Sequence, residues 1–155
     1  MTYKKVLVAV DTTDEAEDVV KAAREISDEK NSEISIITVI RPMTDFYVNL
    51  YSTLEDSAKI GLESHAVESV TAWLSELAGR YGIHESAMTV IIGTPAVEIR
   101  RLAEKLDVEL IVLGTHGRHG LGLMLGSTAN AVLHGAPCDV LAVKVHAEGR
   151  TKNAI

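Results

Sequence analysis

The chain has 155 residues, 46% of them hydrophobic, and a formal net charge of −7. This length is typical of one domain, and the apolar content suffices for a core without disulfides or metal ions. The acidic balance argues against nucleic-acid binding, which needs a basic surface. The single cysteine excludes an internal disulfide, and no apolar run approaches the roughly 20 residues of a membrane span. We therefore expect a cytoplasmic protein that binds neither nucleic acid nor membrane.

The first predicted elements are a strand, a helix and a second strand. Lys4–Val10 is a continuous β-branched run, which is typical of a strand buried on both faces of a parallel sheet. Thr12 and Glu15 have the spacing of a capping box, and the apolar residues after them recur at helical intervals. A helix is therefore expected to begin near Thr12. Glu33–Ile40 predicts the second strand, which Pro42 ends.

The middle of the chain is less regular. Residues 43–55 show no clear period, and we interpret them as a loop that leads into a helix. Ile60–Tyr81 has a long helical pattern, with Trp73 among the apolar residues expected in the core. Ala87–Gly93 predicts a third strand.

The last third repeats the alternation of helix and strand. Thr94 can cap a helix whose first position is Pro95. Glu109–Gly114 predicts a fourth strand, and a glycine-rich segment then leads into a short helix that ends near His134. Asp139–Val145 predicts a fifth strand. The series indicates an α/β fold with a mainly parallel sheet and helices on both faces.

The glycine-rich segment is the strongest candidate for chemistry. Five of the eleven glycines fall within residues 114–130, directly after the fourth strand. Ligands of open α/β sheets bind at the carboxyl ends of strands, and glycine lets backbone N–H groups approach an oxyanion closely. The following helix would add free N–H groups and hydroxyl donors. We predict a phosphate-binding nest, with a flexible surface loop as the alternative. The nest residues are Gly114, Gly117, Gly126, Ser127 and Thr128.

Other residues are open to two interpretations. Asp11 ends the first strand, where it could bind a ribose or a metal ion, or be a turn acid. Arg118 is the best lone cation for a phosphate, or else a solvated loop residue. His116 and His119 could contact phosphate or act as acid–base groups, but they lack the further ligands of a zinc site. Cys138 is interpreted as a small buried side chain rather than a nucleophile.

Taken together, these residues resemble the universal stress protein family over nearly the whole chain. The stretch YKKVLVAVD is similar to the family's first strand, and LGTHGRHGLGLMLGSTANAVLHGAPCDVLAVKV is similar to its C-terminal signature. The resemblance implies a single-domain, Rossmann-like five-stranded parallel sheet with helices on both faces, over residues 1–146. A flexible tail, 147–155, would follow. The resemblance also implies a homodimer joined through the last strand, Asp139–Val145.

Family members that bind ATP share a motif of Gly, two residues, Gly, nine residues, Gly, then Ser or Thr. Gly114, Gly117, Gly126 and Ser127 match that motif in residue type. However, only eight residues separate Gly117 from Gly126. The shorter spacing could shift the upper half of the nest, or the loop could absorb it.

The resemblance also implies an adenine nucleotide, ATP with or without Mg²⁺, as the ligand. Asp11 and Val39 would lie near the ribose and adenine, and Ala9 and Leu113 near the base. The first half of the chain, including TDFYVNLYSTLED, is instead similar to the founding stress-protein type, which lacks the glycine motif and is not regarded as an ATP binder.

The resulting hypothesis is a cytoplasmic, homodimeric stress-response protein that binds ATP as a sensor and alters a surface for an unidentified protein partner. One alternative is a dimeric interaction protein that binds no nucleotide. Another is a slow ATPase, which needs a group to position water and usually Mg²⁺. Asp11, His116 and His119 are the candidates for that role.

Overall fold

The computed structural model describes residues 2–45, 48–115 and 125–145. The strands of this part are β1 (Lys5–Ala9), β2 (Glu33–Ile40), β3 (Met88–Ile92), β4 (Leu110–Gly114) and β5 (Asp139–Val143). The α-helices are α1 (Ala16–Ile26), α2 (Val48–Ser52), α3 (Asp56–Arg80), α4 (Pro95–Leu106) and α5 (Ser127–Gly135). Short 3-10 helices cover Met43–Asp45 and Glu85–Ala87.

The five strands form one parallel sheet in the order β3-β2-β1-β4-β5. This confirms the predicted α/β fold with a five-stranded parallel sheet. From β1 the chain first adds β2 and β3 on one side, and then crosses to add β4 and β5 on the other. The order therefore reverses between β1 and β4, and this is where open α/β sheets bind ligands.

The helices cover the two faces of the sheet with separate cores. Val6, Val8 and Val10 of the first strand region belong to a core with residues of α1 and α3. Leu7 and Ala9, which alternate with them, belong to a second core with residues of α4 and α5. Burial on both faces explains why β1 reads as a continuous apolar run rather than an alternating one.

Helix α1 begins later than its capping-box spacing predicts. It starts at Ala16, with Glu15 at the N-cap position, so the prediction of a start near Thr12 is wrong. The cause is a turn at the end of β1. The Thr13 amide donates to the Asp11 carbonyl at 2.8 Å, and the Thr13 hydroxyl donates to the Asp11 carboxylate at 2.7 Å. These bonds hold the backbone out of the helix.

The segment predicted as a loop over residues 43–55 contains the first 3-10 helix and α2, so that prediction is also wrong. Both elements are too short to show a period. Helix α3 starts at Asp56 and is longer than predicted, but its buried residues lie only in its second half, at Leu74, Leu77 and Ala78. Trp73 is half-buried and packs against the core beneath α1 and α3, as expected.

The ends of the later elements follow from their partners. Thr94 and Pro95 occupy the predicted N-cap and first positions of α4, although the Thr94 side chain makes no capping hydrogen bond. Strand β5 ends at Val143, two residues before the predicted end, because its neighbour β4 ends at the paired Gly114. The predicted tail, 147–155, lies outside the described residues. Within the described ranges, no helix combines the length and apolarity that a membrane span requires.

Candidate functional site

The candidate site lies at the carboxyl ends of β1, β2 and β4. Its floor is apolar. Ala9 of β1 is paired in register with Leu113 of β4, and both are buried in the core beneath α4 and α5. Val39 of β2 is half-buried against the same core. The three residues predicted to lie near the base therefore share one face of the sheet, on both sides of the strand reversal.

Asp11 lies just beyond β1 and is half-buried. Its carboxylate accepts the Thr13 hydroxyl and its carbonyl accepts the Thr13 amide, as described for the turn before α1. The interpretation of Asp11 as a turn acid is therefore supported. A carboxylate can accept several hydrogen bonds, so this role leaves capacity for a ligand hydroxyl.

The two ends of the glycine segment meet at the sheet. The Thr115 amide donates to the Val143 carbonyl at 2.9 Å, which completes the last pair of the β4–β5 ladder, Gly114 with Val143. The Gly126 amide donates to the Thr115 carbonyl at 2.6 Å. The start of α5 thus lies beside the end of β4, while the role of Gly114 and Gly126 in binding phosphate stays a prediction. The segment between them, with Gly117, Arg118, His116 and His119, lies outside the described residues.

Helix α5 starts at Ser127 with Gly126 at its N-cap. The Asn130 amide makes the first turn's bond, to the Gly126 carbonyl at 2.9 Å, so the preceding helical amides have no acceptor inside the helix. The first turn carries no acidic residue. The partial positive charge of this helix end is therefore not offset by a side chain of its own first turn.

A hydroxyl is buried at the base of this helix end. The Thr115 Oγ1 atom is shielded from solvent, and among the described residues it has no hydrogen-bond partner. Buried hydroxyls are normally paired, but the core residue Thr38 has an Oγ1 in the same state, so the Thr115 hydroxyl is an available donor and not by itself the mark of a ligand. Thr115 was not predicted as a site residue.

Arg41 is a second residue that the sequence analysis missed. It follows β2 directly, and its Nη2 donates to the Thr128 Oγ1 of α5 at 3.4 Å. The contact joins positions 87 residues apart. A signal was available, since Arg41 stands one residue beyond a predicted strand, like Asp11. Only the strand order, however, brings the end of β2 to the side of α5.

Residues away from this site fit structural roles. Burial raises the pKa of the Cys138 thiol, which disfavours the nucleophilic thiolate, in keeping with the predicted role. His84 accepts the Ser86 amide at 3.1 Å and so caps a 3-10 helix.

A cavity of about 380 Å³ lies at the opposite, amino end of the sheet, beside His84 and Ser35. The described residues contain no cluster of three or more potential metal ligands.

Comparison with known proteins identifies a family that the chain matches. The model of the Universal stress protein family matches residues 2–144. Universal stress protein A homolog 1 of Coxiella burnetii is 35% identical over 143 residues, covering 92% of this chain and 97% of that protein.

Solved structures share the fold. That of the hypothetical protein MJ0577 is similar with a TM-score of 0.76 at 23% identity, over 93% of this chain and 97% of that one. A universal stress protein in complex with cAMP is similar with a TM-score of 0.61 at 21% identity, over 93% and 98% of the two chains.

Proposed function

The chain belongs to the universal stress protein family, and we propose that it binds an adenine nucleotide, ATP, at the carboxyl ends of β1, β2 and β4. The base would lie over Ala9, Val39 and Leu113. The ribose would contact Asp11, and the phosphates would contact the glycine segment and the start of α5.

The observation that carries this proposal is the hydrogen bond from Gly126 to Thr115. It holds the uncapped end of α5 beside the end of β4, where the apolar floor begins. A flat apolar base and a polyanionic phosphate chain need an apolar floor and a cluster of donors next to each other. The similar universal stress protein in complex with cAMP supports an adenine nucleotide as the ligand class.

The role we propose is a regulatory one in the cytoplasm, as a homodimer. Strand β5 is an edge of the sheet, and its residues Val140, Leu141 and Val143 are only half-buried. An open, apolar edge strand favours pairing with another chain. Nucleotide binding would order the glycine segment and so change a surface that a partner protein reads.

A second candidate function is an interaction protein without nucleotide. One observation favours it: Leu50 of α2 is 63% exposed, and Ile60 and Leu62 of α3 are 64% and 41% exposed. Apolar side chains in neighbouring exposed helices are typical of a protein–protein contact.

A slow ATPase remains the third candidate, with Asp11 as the candidate water-positioning group in the described part of the chain.

Calorimetric titration of ATP with Mg²⁺ into nucleotide-free protein tests the proposal. We expect micromolar affinity, with AMP weaker. The variant Gly126→Leu should lose ATP affinity at least tenfold, because its side chain would cover the free amides of α5. Its fold should persist, since φ of −60° at Gly126 suits any residue.

Gly61→Leu is the matched control, because Gly61 has no neighbouring atom within 4 Å of an added Cβ and lies in α3. It should bind ATP like the wild type. A folded wild-type dimer that takes up no ATP would favour the interaction protein. Unchanged ATP affinity in Gly126→Leu would mean that the phosphates do not bind at the start of α5.

A further inference from the structure

The guanidinium of Arg41 is held beside the start of α5 by a weak contact. Its single described partner is the Thr128 hydroxyl, at 3.4 Å, beyond the usual range for a strong hydrogen bond. A guanidinium has five N–H donors, and this contact uses one. The side chain is exposed, so it can leave Thr128 at little cost.

The charge of Arg41 is also uncompensated within the described side chains. Arg80 and Arg101 pair with Glu17 and Glu98, respectively. No ion pair involves Arg41 in that part of the chain. Arg24 and Arg100 form no ion pair there either, but each donates to a backbone carbonyl, whereas Arg41 stands beside a helix end that carries no acid.

The backbone around Arg41 fixes where this charge stands. The residue follows the last position of β2 and precedes Pro42, which restricts Arg41 to an extended conformation. The side chain therefore starts from a rigid strand end and reaches across the end of β1 to α5. The positive charge of Arg41 thus lies at the free amides of α5, and the Thr115 hydroxyl, which has no partner among the described residues, belongs to the residue that anchors the same helix end.

We propose that Arg41 is a specificity-determining residue of this site, selecting nucleotides with two or more phosphates over AMP and adenosine. This inference rests on the proposed adenine-nucleotide function. On binding, the guanidinium leaves Thr128 and makes a bidentate, charge-assisted contact with the β- or γ-phosphate. Such contacts are about twice as strong as neutral hydrogen bonds, and arginine is suited to them by its planar fork.

The test compares Arg41→Gln with the wild type by titration of ATP, ADP, AMP and adenosine. We expect Arg41→Gln to weaken ATP and ADP about 10- to 100-fold, as for the loss of one charge-assisted contact. The affinities for AMP and adenosine should change less than about threefold, because neither ligand has a β- or γ-phosphate for Arg41 to contact. Arg41→Lys should fall in between, because it keeps the charge without the fork.

Arg80→Gln serves as the control, since it removes the same charge from α3, on the other face of the sheet. It should bind all four ligands like the wild type. Thermal melting of each variant confirms the fold. Equal weakening of all four ligands in Arg41→Gln, or no weakening, would overturn the role of Arg41 while leaving nucleotide binding in place. A wild type that binds none of them would overturn both proposals.

Discussion

The amide of Gly126 donates to the carbonyl of Thr115 at 2.6 Å and so closes the glycine segment at its base. Both ends of the segment are then fixed, one at the end of β4 and the other at the start of α5. The start of α5 is thus anchored directly to the end of β4. A segment one residue shorter than the family motif can therefore keep both anchor points.

We predict that restoring the longer spacing has little effect on the proposed nucleotide binding. Insertion of one glycine after Gly120 should leave the Kd for ATP within about threefold of the wild type, because the cost of closing a loop rises slowly with its length. Titration calorimetry measures this. A glycine inserted after Lys30, in a turn remote from the site, is the control. Affinity that rises tenfold on the first insertion alone would show that the short spacing limits binding.

The proposed dimer can be broken at a single position of β5. Val143 accepts the Thr115 amide of the neighbouring strand. In a parallel ladder alternate residues bond to opposite sides, so the Ala142 amide points to the open edge. Ala142→Pro should remove that donor without breaking the pairing with β4, and proline is tolerated at edges. We expect a folded monomer in light scattering, whereas Ala142→Ser should remain a dimer. A dimer that persists in the proline variant would exclude this edge.

Helix α3 should contribute to stability through its second half only. Leu74→Ala removes a side chain that is fully buried, and the expected loss is about 2–5 kcal/mol in the free energy of unfolding. Leu62→Ala in the same helix removes a side chain that is 41% exposed, and it should cost less than about 1 kcal/mol. Urea unfolding compares the two variants. Equal losses would mean that the first half of α3 is covered by another chain.

The raised pKa of Tyr81 predicts a loss of stability at alkaline pH. Burial and the hydrogen bond to Glu17 raise its pKa from 10.0 to about 12. The folded state thus favours the protonated phenol, and this contribution is complete below pH 10 and disappears as the pH rises through about 12.

Thermal melts of the wild type and Tyr81→Phe should therefore converge between these pH values, because the variant has no phenol to ionise. Below pH 10, the wild type should be the more stable of the two. A difference between the two proteins that stays constant up to pH 12 would contradict the assignment.

The elements that the sequence predicted well are those whose pattern arises from burial alone. The apolar runs of β1 and β4 follow directly from a sheet covered on both faces. Pro95 marked the start of α4 because its chemistry suits only the first turn. What failed depended on local bonds, such as the turn between Asp11 and Thr13 that delays α1.

The residues of the candidate site likewise differ in whether the sequence alone could predict them. Asp11 and Gly126 stand out in the sequence because residue type and position in a motif agree. Arg41 and Thr115 do not stand out. Arg41 is of interest because the strand order brings it to α5, and Thr115 because its buried hydroxyl has no partner among the described residues. Neither property can be read from a linear pattern, because both depend on which side chains the fold brings near.

The strand order has a mechanical consequence. The walls of the candidate site come from opposite halves of the chain, with Asp11 and Arg41 from the first β-α-β unit and Thr115 and Thr128 from the last. A nucleotide that contacts residues of both units would link the first and the last parts of the polypeptide. The halves would then unfold as one cooperative unit, and the melting temperature would climb with ligand concentration as mass action requires.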